Sequence, residues 1–179
     1  DTIKIATAHF RRADIADALT AALERGVKVE IVTDQQEYHS RGTASDPTFL
    51  DETIAAKGAK VRYKIYSRFW DYRTAFQMHA KYIIIDDETV ITGSFNWSRN
   101  AETKVMENLV IISDSDIADA YVKNFGKIFN YGKGTITALK KKISKASGKS
   151  PCAFAPISLT GKQVKALRKL YAYGACRSR

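Results

Sequence analysis

Residues 79–96, HAKYIIIDDETVITGSFN, carry four side chains suited to handling an anion: His79, Lys81, Ser94 and Asn96. They stand at the ends of two short apolar runs. Alternate residues of an extended chain share a face, so His79 and Lys81 point the same way from the first run. Ser94 and Asn96 do likewise just past the second. The acidic stretch Asp86-Asp87-Glu88 interrupts the apolar pattern and reads as a turn, which folds the two pairs together. The converging group is an imidazole, a fixed cation, a hydroxyl and a carboxamide, with no carboxylate among them. Such donors suit the negative oxygens of a phosphate, and the imidazole is the nucleophile that could attack it. Gly93 lets backbone approach whatever is bound. Taken singly each residue is ordinary: a strand histidine is more often structural, and Gly-Ser-Phe-Asn could be a plain turn. The combination points to chemistry.

The pattern is His79-x-Lys81, four residues, Asp86, six residues, then Gly93-Ser94-x-Asn96. It resembles the HxKxxxxDxxxxxxGSxN signature of the phospholipase D superfamily at every fixed position. AETKVMENLVII (101–112) and IATAHFRRADIADALTAALERGVKVEIVTD (5–34) also resemble segments of its small single-motif branch, the bacterial Nuc-type endonucleases. The resemblance spans roughly residues 1–130, and the domain's first helix is expected to be missing.

The resemblance implies that His79 attacks phosphorus to form a phosphohistidine that water hydrolyses. Lys81 and Asn96 would bind the non-bridging oxygens, supported by Ser94. Glu107 matches the family carboxylate that accepts a hydrogen bond from a histidine ring. Asp86, a strand length from His79, and Gly93 are read as structural. In-line displacement at phosphorus needs a nucleophile on one side and an acid on the other, and one imidazole cannot stand on both. His9 and His39 lack the companions of His79. His9 follows the first strand, where it is either an ordinary loop histidine or a substrate contact. The expectation is therefore a twofold homodimer sharing one site, as the family implies. No metal and no cofactor are expected, because Lys and amide donors supply the charge stabilisation.

These residues need a scaffold, and the chain alternates strand and helix patterns. Ile3 and Ile5 read as a buried strand, and Asp14 as the cap of a helix with Ile15, Leu19, Ala22 and Leu23 on one face and Gly26 as its stop. VKVEIVTD (27–34) completes a β-α-β unit. A short helix over 49–58 and the strand AKVRYKIY follow, then the quoted hairpin and a strand over 106–112. A last helix is capped by Asp114 or Ser115, with Ile117, Tyr121, Phe125 and Ile128 facing the core. The fold class expected is α/β: a mixed β-sheet with helices on both faces, a phospholipase D-like domain over 1–132. A basic linker (133–157) and a basic helical extension (158–179), read as the start of a DNA-binding module, follow.

At 179 residues and 45% hydrophobic, the chain can bury a core. It contains no apolar run long enough to span a bilayer. Cys152 and Cys176 have no metal-ligand spacing and read as free thiols. The chain opens at Asp1 with neither an initiator Met nor a leader-like pattern, as a processed or trimmed polypeptide would, and its location is left open.

The net charge of +10 is uneven: residues 135–179 hold 11 of the 29 Lys and Arg and no acid, leaving 18 basic against 19 acidic residues in 1–134. The cationic tail, Lys140, Lys141 and Lys142 included, favours a polyanion, though a solvated surface would have the same composition. Arg68, Trp70, Tyr72 and Arg73, just before His79, can stack bases and hold phosphates, or pack as a core loop. Nucleic acid, DNA before RNA, is therefore the expected substrate. The alternatives are an anionic phospholipid at a membrane surface and a non-catalytic nucleic-acid-binding module.

Overall fold

A computed structural model describes residues 1–34, 37, 50–67, 77–131 and 153–163. The elements in chain order are β1 (Thr2–Thr7), α1 (Ala13–Glu24), β2 (Lys28–Asp34), α2 (Leu50–Ala56), β3 (Lys60–Ser67), β4 (Lys81–Ile85) and β5 (Thr89–Gly93). Then come α3 (Arg99–Thr103), β6 (Leu109–Ser113), α4 (Ser115–Phe129) and β7 (Ala153–Thr160). One mixed sheet runs β6-β5-β4-β1-β2-β3-β7. The pairs β1–β2 and β2–β3 are parallel, and the remaining neighbours are antiparallel.

The alternation of β1 and β2 sends side chains to two cores. Ile5, Val29 and Ile31 join Leu19 of α1, Ile54 of α2, Val61 and Tyr63 on one face. Ala6, Val32, Tyr82, Ile84 and Val90 meet Ala118, Phe125 and Phe129 of α4 on the other. Ile5, Ile31 and Ile84 are fully buried, each such side chain contributing on the order of 1.5–3 kcal/mol. The sheet covered on both faces is as expected.

Local details differ. α1 begins at Ala13 with Arg12 as its cap residue, and Asp14 lies in the first turn, where it pairs with Arg12 across 2.5 Å. Gly26 does stop the helix: at φ 87° it leaves Val27 N free to donate to Ala22 O at 3.0 Å. In α4 the cap is Asp114, accepting from Ile117 N at 2.9 Å. Of the face expected, Phe125 is buried and Tyr121 and Ile128 pack against the same core, joined by Ala118 and Phe129, whereas Ile117 is exposed.

The larger correction is β7. Residues 153–157, read as linker, and 158–160, read as the start of a helical extension, form a strand antiparallel to β3, from Thr160 opposite Arg62 to Ala153 opposite Ser67. The surrounding Lys, Ser and Gly masked the apolar run AFAPISL. Pro156 sits in an edge strand, where its missing N–H is tolerated. Residues 132–152 and 164–179, with both cysteines, and His39 lie outside the described residues.

The β4–β5 connection bends through Asp86 and Asp87, both at positive φ, 54° and 60°. Aspartate tolerates that region better than most residues. The Asp86 carboxylate also accepts from Thr2 N at 2.7 Å, while Asp86 N donates to Thr2 O at 2.9 Å. The turn is thereby pinned to the start of β1.

Two expected outcomes follow from the packing. A Cβ placed on Gly93 would stand 2.1 Å from the carbonyl oxygen of Asn108. Gly93→Ala should therefore cost about 1–3 kcal/mol, read as a lower urea midpoint, because backbone must move to admit it. Asp51, 1% exposed, accepts a hydrogen bond from the Tyr63 hydroxyl, and burial pushes its carboxyl up to about 6. The unfolded chain then sheds this proton first, so stability is lost as pH rises toward and through about 6. Asp51→Asn should raise the unfolding temperature at pH 7.5, a gain of about 1–3 kcal/mol, and the gap to wild type should close in acid.

Candidate active site

Strand direction assembles the site. β4 runs antiparallel to β1, β5 to β4, and β6 to β5, while β1 and β2 run together. The C-terminal ends of β1, β2 and β5 therefore share one end of the sheet with the N-terminal ends of β4 and β6. Across that end stand Glu107 and Asn108 before β6, Ser94 after β5, and His79 and Lys81 at the start of β4. His9 after β1 and Glu37 beyond β2 complete the row.

His79 is exposed and Lys81 half-buried. The Lys81 ammonium lies 3.2 and 3.3 Å from the two ring nitrogens of His79 and donates to the His79 carbonyl at 2.9 Å. Partial burial first, then the charges of Lys81 and His9, hold the His79 imidazole below its ordinary value. Burial also lowers Lys81, opposed by the Glu107 carboxylate. A neutral imidazole beside an ammonium is a nucleophile next to an anion clamp.

Ser94 is tied into the neighbouring segment. Its hydroxyl donates to the Glu107 carboxylate and accepts from Asn108 N at 3.0 Å, and its own N–H donates to Asn108 Oδ1 at 2.9 Å. The absent side chain of Gly93 permits this closeness. Asn96 precedes buried Trp97, and Ser98 caps α3 by accepting from Ala101 N at 3.4 Å. The Asn96 Oδ1 is buried with no hydrogen-bond partner among the described residues. That oxygen is an acceptor, so only a donor can satisfy it, and it is the amide nitrogen of Asn96 that could donate to an anion.

Within the chain Glu107 bonds the Ser94 hydroxyl, and among the described residues the hydrogen-bond partner of the His79 ring is Lys81. Glu107 lies two strands away from His79, with β5 between them. Asp86 sits at the opposite end of β4, hydrogen-bonded to Thr2. Arg68, Trp70, Tyr72, Arg73, Lys140, Lys141 and Lys142 lie outside the described residues. No group of three or more His, Cys, Asp or Glu among the described residues could hold a metal ion.

Sequence reasoning passed over Glu37, Arg11 and Asn108. Glu37 lies 28 positions from His9 in a polar stretch of sequence, and nothing local marks it. Asn108 follows Glu107 inside a segment already singled out, so its neighbour was the available signal.

The family described as cardiolipin synthase, PLD-like domain, matches residues 1–129. A mitochondrial cardiolipin hydrolase of Chlamydomonas reinhardtii is 30% identical over 132 residues, covering 74% of this chain and 53% of that protein. The chain thus spans about half the length of the curated relatives it matches. Among solved structures, Nuc from Salmonella typhimurium, a phospholipase D family member, superposes with a TM-score of 0.61 at 32% identity, over 74% of this chain and 80% of that one. NucT from Helicobacter pylori gives 0.54 at 28% identity, over 71% and 77%. With one such domain over most of its length and the His79–Lys81 pair at the end of its sheet, this chain belongs to the phospholipase D superfamily.

Proposed function

We propose that this chain is a phosphodiesterase that cleaves nucleic acid through a covalent phosphohistidine at His79, in a site shared by two copies. The observation that carries the reading is the single row of His79, Lys81, Ser94 and Glu107 at one end of the sheet, with the Lys81 ammonium against the His79 ring. Lys81 and Asn96 hold the non-bridging oxygens, and Ser94 is steadied by Glu107 and Asn108. His79 attacks phosphorus, forming the P–N bond as the P–O bond to the leaving alcohol breaks. Water then hydrolyses the P–N bond and frees the imidazole.

The departing oxygen needs a proton from the side opposite His79, which His79 of a second copy can supply. The surface supports such a pairing. Val105 and Met106, immediately before Glu107, and Leu109, Val110 and Ile111 of edge strand β6 are all exposed. An apolar stripe along an unpaired edge beside the site is surface that a twofold partner would bury.

Nucleic acid is favoured by the net charge of +10, by the acid-free segment 135–179, and by the Nuc and NucT likenesses. A second reading, hydrolysis of an anionic phospholipid, is favoured by the cardiolipin hydrolase relative, and the same apolar stripe would then face lipid.

Labelled single- and double-stranded DNA, RNA and cardiolipin vesicles, each incubated in EDTA with wild type and His79→Ala, separate these readings. Expected is nucleic-acid cleavage that His79→Ala lowers at least about 10³-fold. Lipid cleavage with DNA untouched establishes the second reading, and binding without cleavage establishes a binding module. Activity abolished by EDTA and restored by a divalent ion would refute the metal-independent mechanism. Because His79 is held below its ordinary 6.5, the acid limb of kcat/KM should fall below pH 6.5, activity being lost as the nucleophile protonates. Ile111→Lys should yield a monomer in sedimentation and lose most activity. Lys140, Lys141 and Lys142 replaced by Gln should weaken DNA binding and flatten its salt dependence by about 0.9 for each phosphate no longer neutralised.

A further inference from the structure

Antiparallel pairing of β1 with β4 sets Thr7 opposite Lys81, and each step along the register adds one residue to one strand and removes one from the other. The ladder ends there, and His9 and His79 each lie two residues beyond it, at the same end of the two strands and close enough for His9 to act on the His79 imidazole. The loop carrying His9 is fastened there. Thr7 Oγ1 donates to His9 O at 2.7 Å, Arg11 N donates to Trp97 O at 2.9 Å, and Phe10 bridges Trp97, the residue after Asn96.

The His9 ring is also held. Its Nδ1 lies 2.9 Å from Glu37 Oε1, and the same carboxylate takes Arg11 Nε at 3.1 and 3.3 Å. Glu37 is 1% exposed, whereas the His9 side chain is 24% exposed. A carboxylate can only accept, so Nδ1 carries the hydrogen and Nε2 is the nitrogen left for a ligand. A buried carboxylate is costly to place, and here it orients an imidazole that reaches solvent beside the nucleophile.

Resting on the phosphodiesterase reading, we propose that His9 is a further substrate-binding residue, oriented by Glu37, whose Nε2 donates to a non-bridging oxygen of the phosphodiester that Lys81 and Asn96 hold. It stands beside the nucleophile rather than opposite it, so the in-line acid remains on the far side of phosphorus. Nε2 meets an anionic oxygen as an N–H donor. The charges around His9 are Glu37 beyond β2, Asp34 at the end of β2, Arg11 ahead of α1, and His79 and Lys81 at the start of β4. The His79 imidazole is depressed in part by His9, in keeping with their closeness.

Kinetics with bis(p-nitrophenyl) phosphate in EDTA test this assignment. His9→Ala should lose at least about tenfold in kcat/KM, carried mainly by KM. His9→Gln, which keeps a donor at this position, should recover most of that loss, and Glu37→Gln should fall between the two. If His9→Ala leaves KM untouched, or lowers only the unfolding temperature, the assignment is wrong. If wild type does not turn over the ester, the phosphodiesterase reading fails. The His9 assignment is then judged by ¹⁵N NMR of its imidazole during titration with inorganic phosphate. A shift at Nε2 upholds it and no shift refutes it.

Discussion

The pairing of β1 with β4 is the constraint on which everything else depends. β1 is parallel to β2 on one side and antiparallel to β4 on the other. That change of direction brings the loop after β1, the segment ahead of β4 and the end of β5 to one end of the sheet. Had β4 run parallel to β1, His79 and Lys81 would lie a strand length from His9 and Glu37. The pairing is itself enforced by burial. Ile5 and Ile83 share one core, Ala6, Tyr82 and Ile84 the other, and a slip of one residue would turn both rows inside out.

Strand ends suit this chemistry because the sheet interior is too well packed to admit a ligand, while its ends combine rigid backbone with access to water. The polar groups there are drawn from different strands but held by short local links: Ser94 to Glu107 and Asn108, His9 to Glu37, Lys81 to the His79 carbonyl. Each link restrains a side chain that would otherwise sample several rotamers, so less ordering remains to be done when an anion arrives. The partial burial that depresses both His79 and Lys81 comes from the same placement.

At the β6 side the sheet ends on an exposed apolar strand, and at the other on β7, which contains Pro156. A proline blunts an edge by removing a donor, whereas Val110 and Ile111 leave the β6 edge open to association. The two edges are thus unequal, and the more apolar one follows Glu107.

Much of this was readable in the chain. The spacing from His79 to Asn96 named the site, because hairpin periodicity places alternate residues on one face whatever surrounds them. The β-α-β unit and the glycine stop at Gly26 were legible for the same local reason. Lysine and glycine content hid β7, since strand formation there is decided by a partner, β3, that lies far away in sequence. The α4 face was legible at Tyr121, Phe125 and Ile128, while Ile117, in the first turn, lies beyond the reach of the core. Glu37 was invisible because its role exists only after β2 and β1 pair and set a loop carboxylate against His9. Local pattern, then, determined which side chains could act on phosphate and on which short elements they ride. The order and direction of the strands decided which of them meet, because residues as far apart as His9 and His79 become neighbours only through long-range pairing, which no local pattern encodes.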